Sequence, residues 1–363
     1  MYKQVTIEGL RGIKHLEIGD FGQVNLFVGK NNCGKTTLLE SLFLLTGPTN
    51  PQLPLIINNF RDFRIIDEIS WRLIFNKLDV NSTIKISGEL ENPKEKRNLI
   101  IKPNTESVAT LTKTTTNKET MDIKEMDIKD SYSGTLPLID GLILEFSLTN
   151  GKAKKPKKIT TKVVMEGPRI NFKLPEDYKE HLKGVFITAK NISGQMGARF
   201  NNIQITKRID RIIKLLRKIE PSLVSLSLGS EEIIYCDIGL DRLVPINIMG
   251  DGMFRLLSII LAISDTQDGI VFIDEIENGF HYTSQEILWN AIFESAKEFN
   301  VQIFATTHSI ECVRAFSSSY SPLSRNIDDI RLYRIERKND DFKVVSYDSK
   351  ILEASLDSDW EVR

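Results

Sequence analysis

The chain has 363 residues, long enough to bury one large core or two modest ones. Its 48 Lys+Arg offset 49 Asp+Glu, so no global field draws it to nucleic acid or a membrane, and DNA contact needs a local patch. Three widely spaced cysteines (Cys33, Cys236, Cys312) fit neither a disulfide framework nor a metal knuckle. The start, MYKQVTIEGLRG, has no apolar signal core, and no run nears the ~20 apolar residues that span a bilayer; the sequence reads as cytoplasmic.

The first predicted element is a β-type apolar run, Gln23 to Val28. Gly29-Lys30-Asn31-Asn32-Cys33-Gly34-Lys35-Thr36 follows, a complete G-x-x-x-x-G-K-[ST] loop, and Thr37 to Leu45 has helical spacing. In a strand–loop–helix setting the glycines let backbone N–H groups turn inward around phosphates, and the helix N-terminus adds partial positive charge. Gly29, Asn31, Asn32, Cys33, Gly34, Lys35, Thr36 and Thr37 are the expected nucleotide contacts. Lys35 is placed to reach the β- and γ-phosphates, and the Thr36 hydroxyl to hold Mg²⁺. The expected ligand is a nucleoside triphosphate.

The long middle stretch shows no sustained heptads. It predicts a helix near Asp67–Phe75 and strands at Thr83–Leu90, Asn98–Lys102, Leu142–Leu148, Lys158–Met165 and Gly184–Thr188. Thr110 to Asp130 is polar and repetitive, an exposed hairpin tip or mobile loop. Two basic features stand out: Lys152, Lys154, Lys155, Lys157 and Lys158 around Pro156, and an amphipathic helix carrying Lys207, Arg208, Arg211, Lys214, Arg217 and Lys218. Each is either a solvated face or a salt-sensitive contact to a phosphate backbone. No aromatics interleave with the charges, which argues against a stacking platform for single strands.

Further on, Gly250-Asp251-Gly252 precedes an apolar helical run, so these residues lie at a helix N-terminus that offers free N–H groups to an anion. Ile270 to Ile273 reads as a buried parallel strand whose carboxyl end delivers Asp274 and Glu275. Asp274 is placed to orient the Mg²⁺ shell and Glu275 to act as general base on the attacking water. Gln285 to Phe299 has the length of a crossover helix, and Val301 to Thr307 is a second strand that ends at His308, a candidate γ-phosphate sensor. Asp329–Arg337 and Phe342–Tyr347 predict a strand pair; a short helix and a solvated acidic tail with Asp357 and Asp359 follow.

Together the string Phe272 to His281, Thr306-Thr307-His308-Ser309 and Ile7 to Lys14 ahead of the loop resemble the ABC-type ATPase heads of the OLD/RecF/SMC group. The closest resemblance is to bacterial AAA family ATPases similar to the ATPase half of OLD-family nucleases, the anti-phage kind found in Septu or PARIS. It implies an α/β fold: a P-loop ABC-type head with a mixed central sheet, an antiparallel β lobe and a helical signature region. It implies one domain over 1–363, with 1–50 and 230–363 as nucleotide core and 51–229 as an inserted lobe bearing a mobile 105–135 segment.

Residue by residue, the resemblance makes Gly29, Gly34, Lys35 and Thr36 Walker A, Asp274 the Walker B acid, Glu275 the base and His308 the switch histidine. It sets Arg11 beside the nucleotide, Gln195 at Mg²⁺, Glu277 to His281 in a loop crossing a dimer, and Gly250 and Gly252 on a partner's γ-phosphate. The usual signature begins Leu-Ser-Gly-Gly; here Gly250 replaces the serine and Asp251 adds a negative charge. The implied activity is Mg²⁺-dependent ATP hydrolysis in a head-to-tail homodimer that regulates a separately encoded effector, a nuclease in anti-phage defence. The alternative is a RecF-like repair ATPase that clamps DNA; a transporter subunit fits less well, because the Glu277–His281 loop and the signature differ from that pattern. The residues after His308 are too few for an appended nuclease domain.

Overall fold

The computed structural model describes residues 1–63, 68–105, 139–150, 156–166, 169–175, 178–188, 190, 195–320, 329–339, 341–358 and 362. In chain order its strands are β1 (Tyr2–Leu10), β2 (Ile13–Ile18), β3 (Val24–Val28), β4 (Ile84–Leu90), β5 (Glu95–Asn104), β6 (Gly141–Asn150), β7 (Lys157–Glu166) and β8 (Arg169–Lys173). There follow β9 (Gly184–Ile187), β10 (Ser225–Leu228), β11 (Ile234–Asp237), β12 (Val244–Pro245), β13 (Ile270–Ile273), β14 (Gln302–Thr306), β15 (Ile330–Lys338) and β16 (Asp341–Tyr347). Among the described residues they form a six-stranded sheet, β16-β15-β3-β14-β13-β9, a seven-stranded sheet, β2-β1-β4-β5-β6-β7-β8, and a small one, β10-β11-β12.

In the six-stranded sheet every pairing is parallel except β15 with β16. β3, β13 and β14 are buried along their whole length, as continuous apolar runs covered on both faces must be. One face carries an aromatic file across four neighbouring strands: Phe27 lies 6.2 Å from Phe304, Phe304 5.7 Å from Phe272, and Phe272 5.9 Å from Phe186. The other face is covered by the helices Asp251–Asp265, Gln285–Glu298 and Ile310–Tyr320, which share its core.

The seven-stranded sheet is antiparallel throughout, with the alternating burial of a one-sided sheet. The helix Lys35–Thr46 is wedged between the two sheets, with Leu38, Leu39, Leu42 and Leu45 in their shared core. At its carboxyl end the Leu45 carbonyl accepts from the Tyr2 hydroxyl at 3.0 Å and from buried Arg97 at 3.4 Å. Arg97 in turn pairs with Glu180 at 2.9 Å. A cation at a helix C-terminus complements its dipole, and here it fixes the far end of the element that starts at the phosphate loop.

Sheet membership departs from the expected division at 50 and 229. β1 and β2, from the first fifty residues, belong to the antiparallel sheet, while β9, from the stretch assigned to the insertion, is an edge of the parallel one. A four-residue strand has no periodicity long enough to declare its sheet, and β9 is placed by its register with β13, Ile270 opposite Gly184. The expected strands at 98–102 and 142–148 are ten residues long as β5 and β6, and the helix near 67–75 spans only Glu68–Arg72 before Phe75 bridges to Leu10. The repetitive 110–130 segment lies outside the described residues, as do Lys152, Lys154, Lys155 and Asp359.

The basic helix spans Ile209–Leu216, with Ile212, Ile213, Leu215 and Leu216 buried. Four of the six cations on this segment are engaged within the chain. Arg211 pairs with Glu298 and Lys218 with Glu294, Arg208 lies over the Phe299 ring, and Arg217 donates to the Leu223 and Val224 carbonyls. Among the described residues no helix is long and apolar enough to cross a membrane.

Candidate functional site

The phosphate loop joins β3 to the helix Lys35–Thr46 through positive backbone angles: Gly29 at φ 142°, Asn32 at 62° and Gly34 at 90°. At Gly29 a Cβ would stand 2.3 Å from the Ile335 carbonyl oxygen, so both conformation and space require glycine. Lys35 is 5% exposed and folds back along the loop. Its Nζ donates to the Gly29 and Lys30 carbonyls at 2.8 and 3.0 Å and stands 3.5 Å from His308 Nδ1. Burial lowers the Lys35 ammonium below its ordinary value; Cys33, Asp274 and Glu277 pull the other way.

The other half comes from the carboxyl ends of β13 and β14, adjacent parallel strands beside β3. Thr36 Oγ1 donates to Asp274 at 3.1 Å to each carboxylate oxygen. Thr306 Oγ1 donates to Asp274 Oδ1 at 2.6 Å and accepts from the Glu275 N–H at 2.9 Å. Glu275 itself sits at φ 50°, a left-handed conformation uncommon outside glycine. Asn278 donates to Glu275 Oε2 at 2.7 Å, and Glu277 Oε1 accepts from the His308 N–H at 2.7 Å. The acid loop and the histidine loop are thereby tied together.

A cleft of about 650 Å³ gathers Arg11, Asn31, Asn32, Cys33, Gly34, Lys35, Thr36, Thr37, Glu275 and His308, together with Gly12, Arg61, Arg337 and Phe342. Clefts of about 680 and 830 Å³ lie elsewhere but hold no residue of the phosphate loop, so chemistry rather than volume selects the site. Gly29 lies beneath the loop through its bond to Lys35, and Asp274 stands behind Thr36. The Thr36 hydroxyl facing the Asp274 carboxylate is a hard-oxygen donor set suited to Mg²⁺.

Gly250 and Gly252 do not line this cleft. They begin the helix Asp251–Asp265, where Gly252 lies against the Gly279 carbonyl of the 277–281 loop; Gly250, at φ 96°, has open space around its Cα. Gln195 takes a left-handed conformation at the start of the helix Met196–Ile205, outside the cleft lining. Its segment follows β9, and the Ile187 carbonyl at the end of that strand accepts from the Asp274 N–H at 2.9 Å.

Four supporting residues have no role assigned by the motifs. Glu40, fully buried on the helix Lys35–Thr46, accepts from Arg11 Nε at 2.9 Å and Arg61 Nε at 2.7 Å. Arg11 is further held by Asn58 at 2.7 Å, and Arg61 reaches Thr37 Oγ1 at 3.3 Å. Arg255, one turn into its helix, donates to the Glu275 carbonyl at 2.8 Å and bears on the backbone of both acids. Thr306 is the fourth. A buried glutamate on the face of a phosphate-loop helix is the one signal here that could have prompted a search for its cations.

Residues 24–314 match the family described as "AAA domain, putative AbiEii toxin, Type IV TA system". A protein of Helicobacter pylori (strain ATCC 700392 / 26695) named ATP/GTP phosphatase is 24% identical over 330 residues, 86% of this chain and 86% of that one. The solved Smc head bound to the C-winged helix domain of ScpA matches with a TM-score of 0.48 and 12% identity, covering 98% of this chain and 99% of that chain. The SMC head domain from Thermotoga maritima matches at 0.41 and 11%, over 95% and 98%. With a complete phosphate loop sharing one cleft with the strand-end acid Glu275, and Asp274 behind Thr36, the chain belongs to this AAA family and is an ATPase of the P-loop class.

Proposed function

We propose that the chain is a Mg²⁺-dependent switch ATPase that closes head to tail on a second copy of itself. The observation that carries this reading is the hydrogen-bonded line Thr36–Asp274–Thr306–Glu275, which joins the phosphate loop to the acid pair at one cleft. Loop amides and Lys35 hold the triphosphate, with Gly29, Asn31, Asn32, Cys33, Gly34, Thr36 and Thr37 around it. Thr36 and Asp274 hold Mg²⁺, which when bound offsets charge on the phosphate oxygens. Glu275 takes the proton of the attacking water for in-line displacement, and His308 stabilises the charge that develops on the γ-phosphoryl group.

Gly250 and Gly252 stand away from their own cleft, at a helix N-terminus with open space around Gly250. This supports a role on a partner's γ-phosphate, with ATP as interface glue and hydrolysis as release. The biological reading is regulation of a separately encoded effector, a nuclease in anti-phage defence, and it rests on the resemblance of the motifs to OLD-type ATPases.

Light scattering with a non-hydrolysable ATP analogue tests the dimer. The analogue is expected to convert monomer to dimer, and a chain that stays monomeric when saturated overturns the composite site. Thr306→Val tests the line within one protomer. It removes the donor to Asp274 and the acceptor for the Glu275 N–H at nearly unchanged volume, a loss of about 1–3 kcal/mol. At about 1.4 kcal/mol per tenfold, kcat should fall roughly 10- to 100-fold with ATP affinity retained, and Thr306→Ser should restore it.

A further inference from the structure

Glu275, His308, Gly12, Arg337 and Phe342 line the same cleft, and the phosphate chemistry uses only the first two. Two turns meet there: Arg11–Gly12, between β1 and β2, and the tip of the β15–β16 hairpin. Gly34 sits against them, for a Cβ on it would lie 3.2 Å from Phe342 Cε1 and 3.4 Å from Ile13 Cγ1. The Arg337 guanidinium lies over the Phe342 ring, 5.6 Å from its centroid, and its Nη1 is 3.3 Å from where a Gly12 Cβ would stand. Its Nε donates to the Asn339 carbonyl at 2.9 Å, so the group is held from its own hairpin.

From this arrangement, and resting on the ATPase reading of the cleft, we propose that Arg337 and Phe342 form the platform on which the nucleotide's base stacks. A guanidinium within cation–π reach of an aromatic ring pairs two planar, polarisable groups, and base stacking on such groups needs no particular hydrogen-bonding edge. With its γ-phosphate placed toward Glu275 and His308, as the ATPase reading has it, a nucleotide seated at Gly34 would have Phe342 and Ile13 beside it. Gly12 keeps this approach close, since a Cβ on it would stand 3.3 Å from Arg337 Nη1 and the guanidinium would have to give by a few tenths of an ångström. The hairpin lies outside the motifs and beyond residue 314, where the family match ends.

The test separates base from phosphate. Calorimetry on the full chain measures Kd for adenylyl imidodiphosphate and for inorganic tripolyphosphate, which has no base. Arg337→Ala and Phe342→Ala are each expected to weaken the nucleotide analogue about tenfold and to leave tripolyphosphate unchanged, while Phe342→Trp keeps the analogue within about twofold. Arg337 is exposed, so its variant probes the platform even where loss of the Phe342 ring disturbs packing. Analogue binding unchanged in both alanine variants overturns the platform, as does an equal loss for the two ligands. A wild-type chain that takes up neither ligand overturns the phosphate site itself, a failure visible before any variant is measured.

Discussion

Glu275→Gln is expected to bind ATP as the wild type does and to lose turnover by about 10²- to 10⁴-fold, the usual contribution of a positioned general base. The substitution is nearly isosteric, and the contacts around it survive. Asn278 donates to Glu275 Oε2, and a glutamine oxygen accepts that bond equally well. The Glu275 N–H bond to Thr306 and the Arg255 bond to its carbonyl involve the backbone and are untouched. Only the capacity to take a proton disappears. If hydrolysis releases a nucleotide-held dimer, the variant accumulates as a dimer in ATP, where the wild type does so only with a non-hydrolysable analogue. Single-turnover hydrolysis and light scattering on the same sample read both effects. A variant that cleaves ATP at the wild-type rate shows that another group is the base.

The sequence revealed those parts of the site that are local in the chain. The phosphate loop occupies eight consecutive residues, and Asp274 and Glu275 end a four-residue apolar strand. Each of these needs no partner to be recognised. The roles of Arg61, Arg255, Thr306 and Phe342 were not legible, because each depends on a residue elsewhere along the chain. Arg61 meets Glu40 from the segment after the helix, and Phe342 reaches Gly34 only once β15 has paired with β3. The basic helix shows the converse limit. Its cations look like a binding face in one dimension, and in three Arg211 and Lys218 lie beside Glu298 and Glu294 of the helix Gln285–Glu298. The α/β class and the mixed sheet were what the resemblance implied, whereas the allocation of β1, β2 and β9 depended on register, which no local pattern carries.

Lys35→Ala is expected to weaken ATP binding by about a hundredfold or more, since charge-assisted hydrogen bonds to phosphate contribute about 1.5–3 kcal/mol each. The fold should not suffer. Burial lowers the Lys35 ammonium from the ordinary lysine value of 10.5, so its charged form is less favourable in the folded chain than in the unfolded one. The sign follows: the unfolded state holds the extra proton, and the Lys35 contribution to stability rises as pH climbs toward 10.5. Alanine abolishes that slope and relieves the cost of the buried charge, but it also removes the bonds to the Gly29 and Lys30 carbonyls that brace the loop. These effects oppose each other, so the thermal midpoint without nucleotide should move little, while the rise in midpoint that ATP gives the wild type should vanish. A variant whose midpoint ATP still raises by the wild-type amount would remove Lys35 from the phosphates. Collapse of the midpoint without ligand would instead make the lysine a brace of the loop first and a phosphate contact second.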